Sequence, residues 1–213
     1  MLRPFHPSNY DTVIFDLGQV IVDLNGKAVI ERLQAKSFQA DVDYKDLIVS
    51  SPLLQQYETG KIAGREFRQG MRDLLELALS DEEFDEIWNL MLEKIPVERL
   101  ELMKALGKDY QTMILSNTNA IHERKFDEMV GELVPGALMK DFVHHAYYSH
   151  DMGYRKPDPD IYSVLLKNHQ LVPERTVFLD DRSDNIESAK SLGIEAIQVQ
   201  YPDQIFEILS THE

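Results

Sequence analysis

Thr12-Val13-Ile14-Phe15-Asp16-Leu17-Gly18 is the stretch on which the fold turns. Its β-branched and aromatic residues end abruptly on a carboxylate. A short apolar run bounded by polar residues reads as a buried strand. Four further runs share the pattern: Met113-Ile114-Leu115 before Ser116, His145-Ala146-Tyr147-Tyr148 before Ser149, Thr176-Val177-Phe178-Leu179 before Asp180, and Ala196-Ile197-Gln198-Val199. Helical spacing lies between them. Residues 159–167 place Ile161, Val164 and Leu165 on one face behind the capping Asp158. Residues 185–192 and 97–106 read as helices stopped by Gly193 and Gly107. Strands alternating with helices predict βαβ units and a parallel sheet.

Residues 25–95 break the alternation, with helical periodicity and no clear strand. Phe67, Met71, Leu74, Leu75 and Ala78 mark a helix over 66–79, and Phe84, Ile87, Trp88 and Met91 mark another over 81–92. Ser80 with Glu83 three residues on is a capping box for the second. The expectation is a Rossmann-like, three-layer α/β core formed by residues 1–24 and 96–213, with a small α-helical cap of 25–95 inserted after the first strand. Gly131-Glu132-Leu133-Val134-Pro135-Gly136 predicts an interruption between two later elements.

Composition fits that picture. The 213 residues correspond to roughly 1.4 domains at about 150 residues each, one domain carrying an insertion. Apolar residues at 43% and charged residues at 28% exclude wholesale disorder. With 22 basic and 37 acidic residues the formal charge is −15, which argues against a nucleic-acid partner needing a basic face. Cysteine is absent, so disulfides, thiolate metal sites and cysteine nucleophiles are excluded. The opening Met1–Pro7 stretch lacks a signal-peptide apolar run, and no apolar run is long enough to span a membrane, so a soluble cytoplasmic protein is expected. Chain length gives no reading of oligomeric state.

Ligands of an open parallel sheet bind at the carboxyl ends of its strands. Those ends here carry Asp16, Ser116, Ser149 and the pair Asp180-Asp181. Carboxylates gathered in one crevice repel unless a cation sits among them, and oxygen-only ligands suit Mg²⁺. Lys156, just before a helix, could neutralise an anionic substrate. Alone, each residue fits a turn, a cap or a surface position equally well. His144 and His145 have no ligand-spaced partner. What singles the set out is its order along one chain.

That order resembles the haloacid dehalogenase superfamily over nearly the whole chain. The matching motifs are Val13-Ile14-Phe15-Asp16-Leu17-Gly18, Ile114-Leu115-Ser116-Asn117, Arg155-Lys156-Pro157-Asp158 and Phe178-Leu179-Asp180-Asp181 with Asn185 following. The resemblance implies a Mg²⁺-dependent phosphatase acting on a small phosphorylated metabolite. Asp16 would attack phosphorus and form an aspartyl-phosphate. Asp16, the Gly18 carbonyl and Asp181 would hold Mg²⁺, with Asp180 nearby. Ser116 and the Asn117 backbone would bind phosphoryl oxygens, and Lys156 would offset charge on nucleophile and phosphate.

One departure stands out. Phosphatases of this superfamily usually carry an acid two positions after the nucleophile, where this chain has Gly18, followed by Gln19-Val20 in place of the common Gly-Thr. A missing general acid typically costs about 10²–10⁴-fold. Three readings follow: a 2-haloacid dehalogenase, a non-catalytic phosphoryl-binding relative, or a phosphatase whose leaving group needs less protonation. The retained Asp180-Asp181 pair favours the last. The same segments are similar to those of bacterial α-D-glucose-1-phosphate phosphatases, which implies a sugar-phosphate substrate. A sugar 1-phosphate leaves through a comparatively acidic anomeric oxygen. Asp23, seven residues after Asp16, reads as a hinge residue or as a partial replacement for the missing acid. Arg65, Arg68 and Arg72 share a helix face. They could offset the acidic run Asp81-Glu82-Glu83 or attract the substrate. The Gly-containing turn 57–61 could reach the site.

Overall fold

The computed structural model describes residues 9–37 and 42–209; the Met1–Pro7 stretch lies outside them. Strand β1 (Thr12–Phe15) is followed by a tight loop and the short strand β2 (Asp23–Leu24). Helices α1 (Gly26–Gln34), α2 (Tyr44–Ser50), α3 (Pro52–Glu58), α4 (Gly64–Leu75) and α5 (Asp81–Trp88) come next, then strand β3 (Leu92–Lys94). The rest alternates: α6 (Val97–Leu106), β4 (Gln111–Ser116), α7 (Ala120–Leu133), β5 (His145–Tyr148), α8 (Ser149–Met152), α9 (Pro159–His169), β6 (Thr176–Asp180), α10 (Ser183–Ser191), β7 (Glu195–Gln198) and α11 (Gln204–Leu209).

All five apolar runs expected as strands meet in one parallel sheet, ordered β5-β4-β1-β6-β7. Alternate residues of each strand feed two different cores. Val13, Phe15, Ile114, Val177 and Leu179 pack with α6 and α7 residues such as Leu100, Met103 and Phe126. Ile14, Met113, Leu115 and Phe178 pack on the other face with Ile161, Tyr162 and Leu165 of α9 and Ile186 and Ala189 of α10. Burial on both faces explains why these strands are continuously apolar instead of alternating. The chain runs from β1 outward to β4 and β5, then returns to β6 and β7 on the other side. The crevice where that order reverses is where open α/β sheets place ligands.

Helices α1–α5 build a third core from Val29, Leu33, Tyr44, Phe67, Met71, Leu75, Phe84 and Trp88, joined by Ile121 from α7. Phe67 lies at its centre, stacked on Tyr57 at 4.3 Å and edge-on to Trp88 at 5.1 Å between ring centroids. The Ser80–Glu83 capping box forms as read, with Ser80 Oγ accepting from Glu83 N and Glu83 Oε2 accepting from Ser80 N.

Several local expectations change. Residues 25–95 do contain a strand: β3 pairs antiparallel with β2. Two and three residues are too few to show periodicity in sequence. The helix expected over 81–92 stops at Trp88 and continues as a 3₁₀ turn, Asn89–Met91. The one expected over 66–79 ends at Leu75, because Glu76 turns left-handed at φ 50° and Leu77 bridges to Ser37. Gly107 ends α6 with right-handed dihedrals, φ −63°, so it is not a left-handed stop. Gly131 stays inside α7, and the interruption begins after Leu133. None of the described helices is long and apolar enough to cross a membrane.

Candidate active site

β1, β4 and β6 lie side by side, so their carboxyl ends bring Asp16, Ser116 and Asp180 together. Lys156 reaches in from the loop before α9. Its Nζ lies 2.8 Å from Asp16 Oδ1, 2.7 Å from Asp180 Oδ2 and 2.8 Å from the Leu115 carbonyl. Lys156 is 1% exposed and Asp180 fully buried. Removing one member of a buried pair leaves an uncompensated charge, costing about 3–5 kcal/mol. Burial works against the Lys156 ammonium, yet Asp16 and Asp180 together hold its pKa above that of an ordinary lysine.

Asn117 sets the position of that lysine. Its Oδ1 accepts from Lys156 N and its Nδ2 donates to Lys156 O, both at 2.8 Å. Asn117 therefore uses its side chain on the protein and leaves only its backbone for a ligand. Ser149, also expected among the strand-end groups, is occupied as well: its Oγ donates to Thr118 O and accepts from Thr118 N. It braces the loop after Ser116.

The acidic pair divides by environment. Asp180 accepts from Arg182 N and Asn185 Nδ2 besides Lys156. Asp181, next to it, is half-buried. Burial and the adjacent Asp180 raise its pKa. Burial pushes Asp16 up to about 7, against Lys156 and helped by Asp180. Oxygens of Asp16, Asp180 and Asp181 lie within 4.8 Å of one another. Three carboxylates facing one ammonium leave two excess negative charges, matched by one divalent cation. In the loop after β1, Leu17 O accepts from Val20, Ile21 and Val22, which leaves the Gly18 carbonyl outside that ladder. This hard-oxygen donor set fits Mg²⁺, which takes oxygen ligands and retains waters.

Gly18 is enclosed. A Cβ there would sit 2.8 Å from Leu24 Cδ1, so Leu24 fills the space where the customary acid would stand. Gln19 follows at φ +56°, a conformation glycine adopts without strain. Its N donates to Val22 O and its Nε2 to Leu24 O. Asp23 is engaged by basic side chains, Arg99 and Lys94. The Arg99 Nη1 contact is 2.6 Å, beside the β2–β3 pair. Arg68 and Arg72 pair with Asp85 and Asp81 at 2.6 Å each, and so brace α4 against α5.

A cavity of about 680 Å³ separates helices α1–α3 from these strand ends, opening onto Leu17, Gly18, Ser116 and Asn117. Its wall carries Lys27, Glu31, Lys45, Glu58, Arg155 and Arg182, and apart from Glu58 in turn 57–61 sequence reasoning assigned none of them a role at the site. The expectation that turn 57–61 reaches the site is met through Glu58. A larger groove, about 860 Å³, carries Asp81, Glu82, Asp85, Glu86, Glu93 and Glu128 against Arg68, Arg124 and Lys125, a net negative wall. Its negative charge would repel a phosphate ester.

The family model for haloacid dehalogenase-like hydrolases matches residues 10–193. The chain belongs to that family. D-ribitol-5-phosphate phosphatase of Bacteroides thetaiotaomicron is 31% identical over 189 residues, covering 87% of this chain and 90% of that protein. A haloacid dehalogenase (HAD) family enzyme from the same organism superposes with a TM-score of 0.88 at 27% identity, over 95% of this chain and 100% of that one. The wild-type complex of a HAD family enzyme from that organism with magnesium and inorganic phosphate gives a TM-score of 0.79 at 29% identity, over 89% and 93% of the two chains. Membership makes this protein a hydrolase of the HAD type. The four motifs fall at the ends of β1, β4 and β6 and in the loop before α9.

Proposed function

We propose that this hydrolase is a Mg²⁺-dependent phosphatase of small phosphate monoesters, sugar or sugar-alcohol phosphates, working through an aspartyl-phosphate on Asp16. The observation that carries the reading is the buried Lys156 bridging Asp16 and Asp180 at a switch point beside the cavity under helices α1–α3. The curated relative named for a sugar-alcohol phosphate supports the substrate class.

In this reading Lys156 fixes Asp16 Oδ1 and sets the direction from which the carboxylate attacks. The Asp16–phosphorus bond forms as the ester P–O bond breaks. Ser116 and the Asn117 N–H hold the phosphoryl oxygens. Water then attacks phosphorus, returning Asp16 and releasing inorganic phosphate. Asp16, the Gly18 carbonyl and Asp181 would hold Mg²⁺, with Asp180 orienting Lys156 beside it. Bound there, Mg²⁺ supplies charge neutralisation for nucleophile and phosphoryl oxygens. Phosphoryl transfer depends mainly on such positioning and electrostatics. Gly18 offers the leaving oxygen no acid, so that proton comes from water. Esters of more acidic hydroxyls, such as glucose 1-phosphate, depend least on this.

We further propose that the helical segment 25–95 is the cap that selects the leaving group. Phosphate release from glucose 1-phosphate, glucose 6-phosphate and ribitol 5-phosphate, with Mg²⁺ and with chelator, tests the proposal. Metal-dependent release lost in Asp16→Asn is expected. Release unaffected by chelator, or retained in that variant, would overturn it.

A further inference from the structure

Resting on that reading, we propose that Glu58 and Arg155 form a hydroxyl-reading station, so that the enzyme selects a leaving group carrying an alcohol hydroxyl. Glu58 closes α3 and Arg155 immediately precedes Lys156. Arg155 Nη2 lies 3.1 Å from Glu58 Oε2, joining the helical layer to the sheet side of the cavity. The pair is incompletely used. Among the described residues, buried Arg155 Nε makes no hydrogen bond, and buried Glu58 Oε2 has only the Arg155 Nη2 ion pair. The Glu58 side chain is 14% exposed. Burial raises its pKa, opposed by Arg155 and then Arg182.

The turn that carries Glu58 is rigid. Tyr57 stacks on Phe67, and Thr59 Oγ1 donates to Gln55 O at 2.8 Å. Gly60 seats so closely on the core that a Cβ would lie 2.2 Å from the His150 carbonyl oxygen. Glu58 is therefore held in place, not swept in from solvent.

The chemistry follows from donor and acceptor counts. An ionised carboxylate only accepts and a guanidinium only donates. An alcohol hydroxyl does both, so one hydroxyl can donate to Glu58 and accept from Arg155. A second anionic group would be repelled by Glu58. An alkyl chain would leave Arg155 Nε without a partner. Much of the remaining wall is apolar, including Leu24, Val29, Ile48 and Met91, and suits C–H faces. The wall also carries Lys27, Glu31, Lys45 and Arg182, but Glu58 and Arg155 pair a buried acceptor with a buried donor at one point. Sites built to hydrogen-bond a hydroxyl reject the analogue lacking it strongly. Glu58 and Arg155 partly satisfy each other, which moderates the penalty.

The test compares kcat/KM for ribitol 5-phosphate and n-pentyl phosphate, which share a five-carbon chain. Wild type should prefer the polyol ester. Glu58→Gln should cut that preference about 10-fold, the order expected from one charge-assisted hydrogen bond. The double variant Glu58→Leu/Arg155→Leu leaves no unpaired charge behind, and should cut it about 100-fold as both partners of the hydroxyl go. If both esters slow by the same factor, the pair is only a structural tie and the inference fails. It fails equally if the wild type shows no polyol preference, or if neither variant changes the ratio. No Mg²⁺-dependent release from either ester by wild type would overturn the phosphatase reading, and this inference with it.

Discussion

The carboxyl ends of the sheet strands and the helical layer bury different kinds of side chain. At the strand ends charged groups are buried: Lys156 and Asp180, locked to each other and to the backbone. In the α1–α5 layer the buried groups are apolar, among them Phe67, Phe84, Trp88, Leu33 and Met71, and its ion pairs Arg68–Asp85 and Arg72–Asp81 lie at the margin. A buried charge must have its partner in one place, so it fixes geometry. Apolar packing tolerates substitution while volume is kept. The first arrangement suits a reaction centre, and the second a surface that varies with substrate.

The most damaging way to probe that contrast is Lys156→Met. It strands Asp16 and Asp180 as like charges, and urea unfolding in chelator should show a loss of about 3–5 kcal/mol. A loss below about 1 kcal/mol, the range of exposed pairs, would mean the charges at the strand ends are not tightly coupled.

The boundary between the regions can be read by pH. His122 of α7 is buried against Trp88, with ring centroids 5.6 Å apart. Its Nε2 donates to Trp88 O, and its Nδ1 faces the Asn119 amide. Burial pushes its pKa down to about 4. An unfolded histidine titrates near 6.5, so the unfolded chain takes up the proton first. Stability falls as pH drops from about 6.5 toward 4, by about 3 kcal/mol at 1.36 kcal/mol per unit. Unfolding curves of wild type and His122→Gln should diverge across that window; parallel curves would place His122 outside the fold's acid response.

A smaller effect is expected at the turn carrying Glu58. Gly60→Ala places a methyl against a backbone oxygen at positive φ, a strain of about 1–3 kcal/mol. Its thermal melt should fall and KM should rise more than kcat changes. An unchanged melt would mean that the turn does not seat on the core in solution. The smallest belongs to Arg124, which spans the two regions to Asp85 at 3.0 Å from a side chain 59% exposed. Arg124→Ala should cost under about 1 kcal/mol by the same unfolding assay.

These contrasts also mark what the sequence could show. Strands buried on both faces are continuous apolar runs, and Asp16, Ser116 and Asp180 are legible because each ends one. The Ser80–Glu83 box is legible because its partners are three residues apart. Glu58 and Arg155 lie on separate elements, and only the folded turn brings them together. The β2–β3 pair is too short for any periodicity. Leu24 filling the space beside Gly18 depends on a side-chain direction that spacing does not encode. Lys156 could be read as a charge near the crevice, but its grip by the Asn117 amide could not.

The central claim is that Asp16 carries the phosphoryl group. A single turnover of radiolabelled ester, quenched in acid, tests it directly. Protein-bound label that hydroxylamine releases, and that is absent from Asp16→Asn, is the predicted result. Turnover without protein-bound label, or label retained in Asp16→Asn, would contradict it.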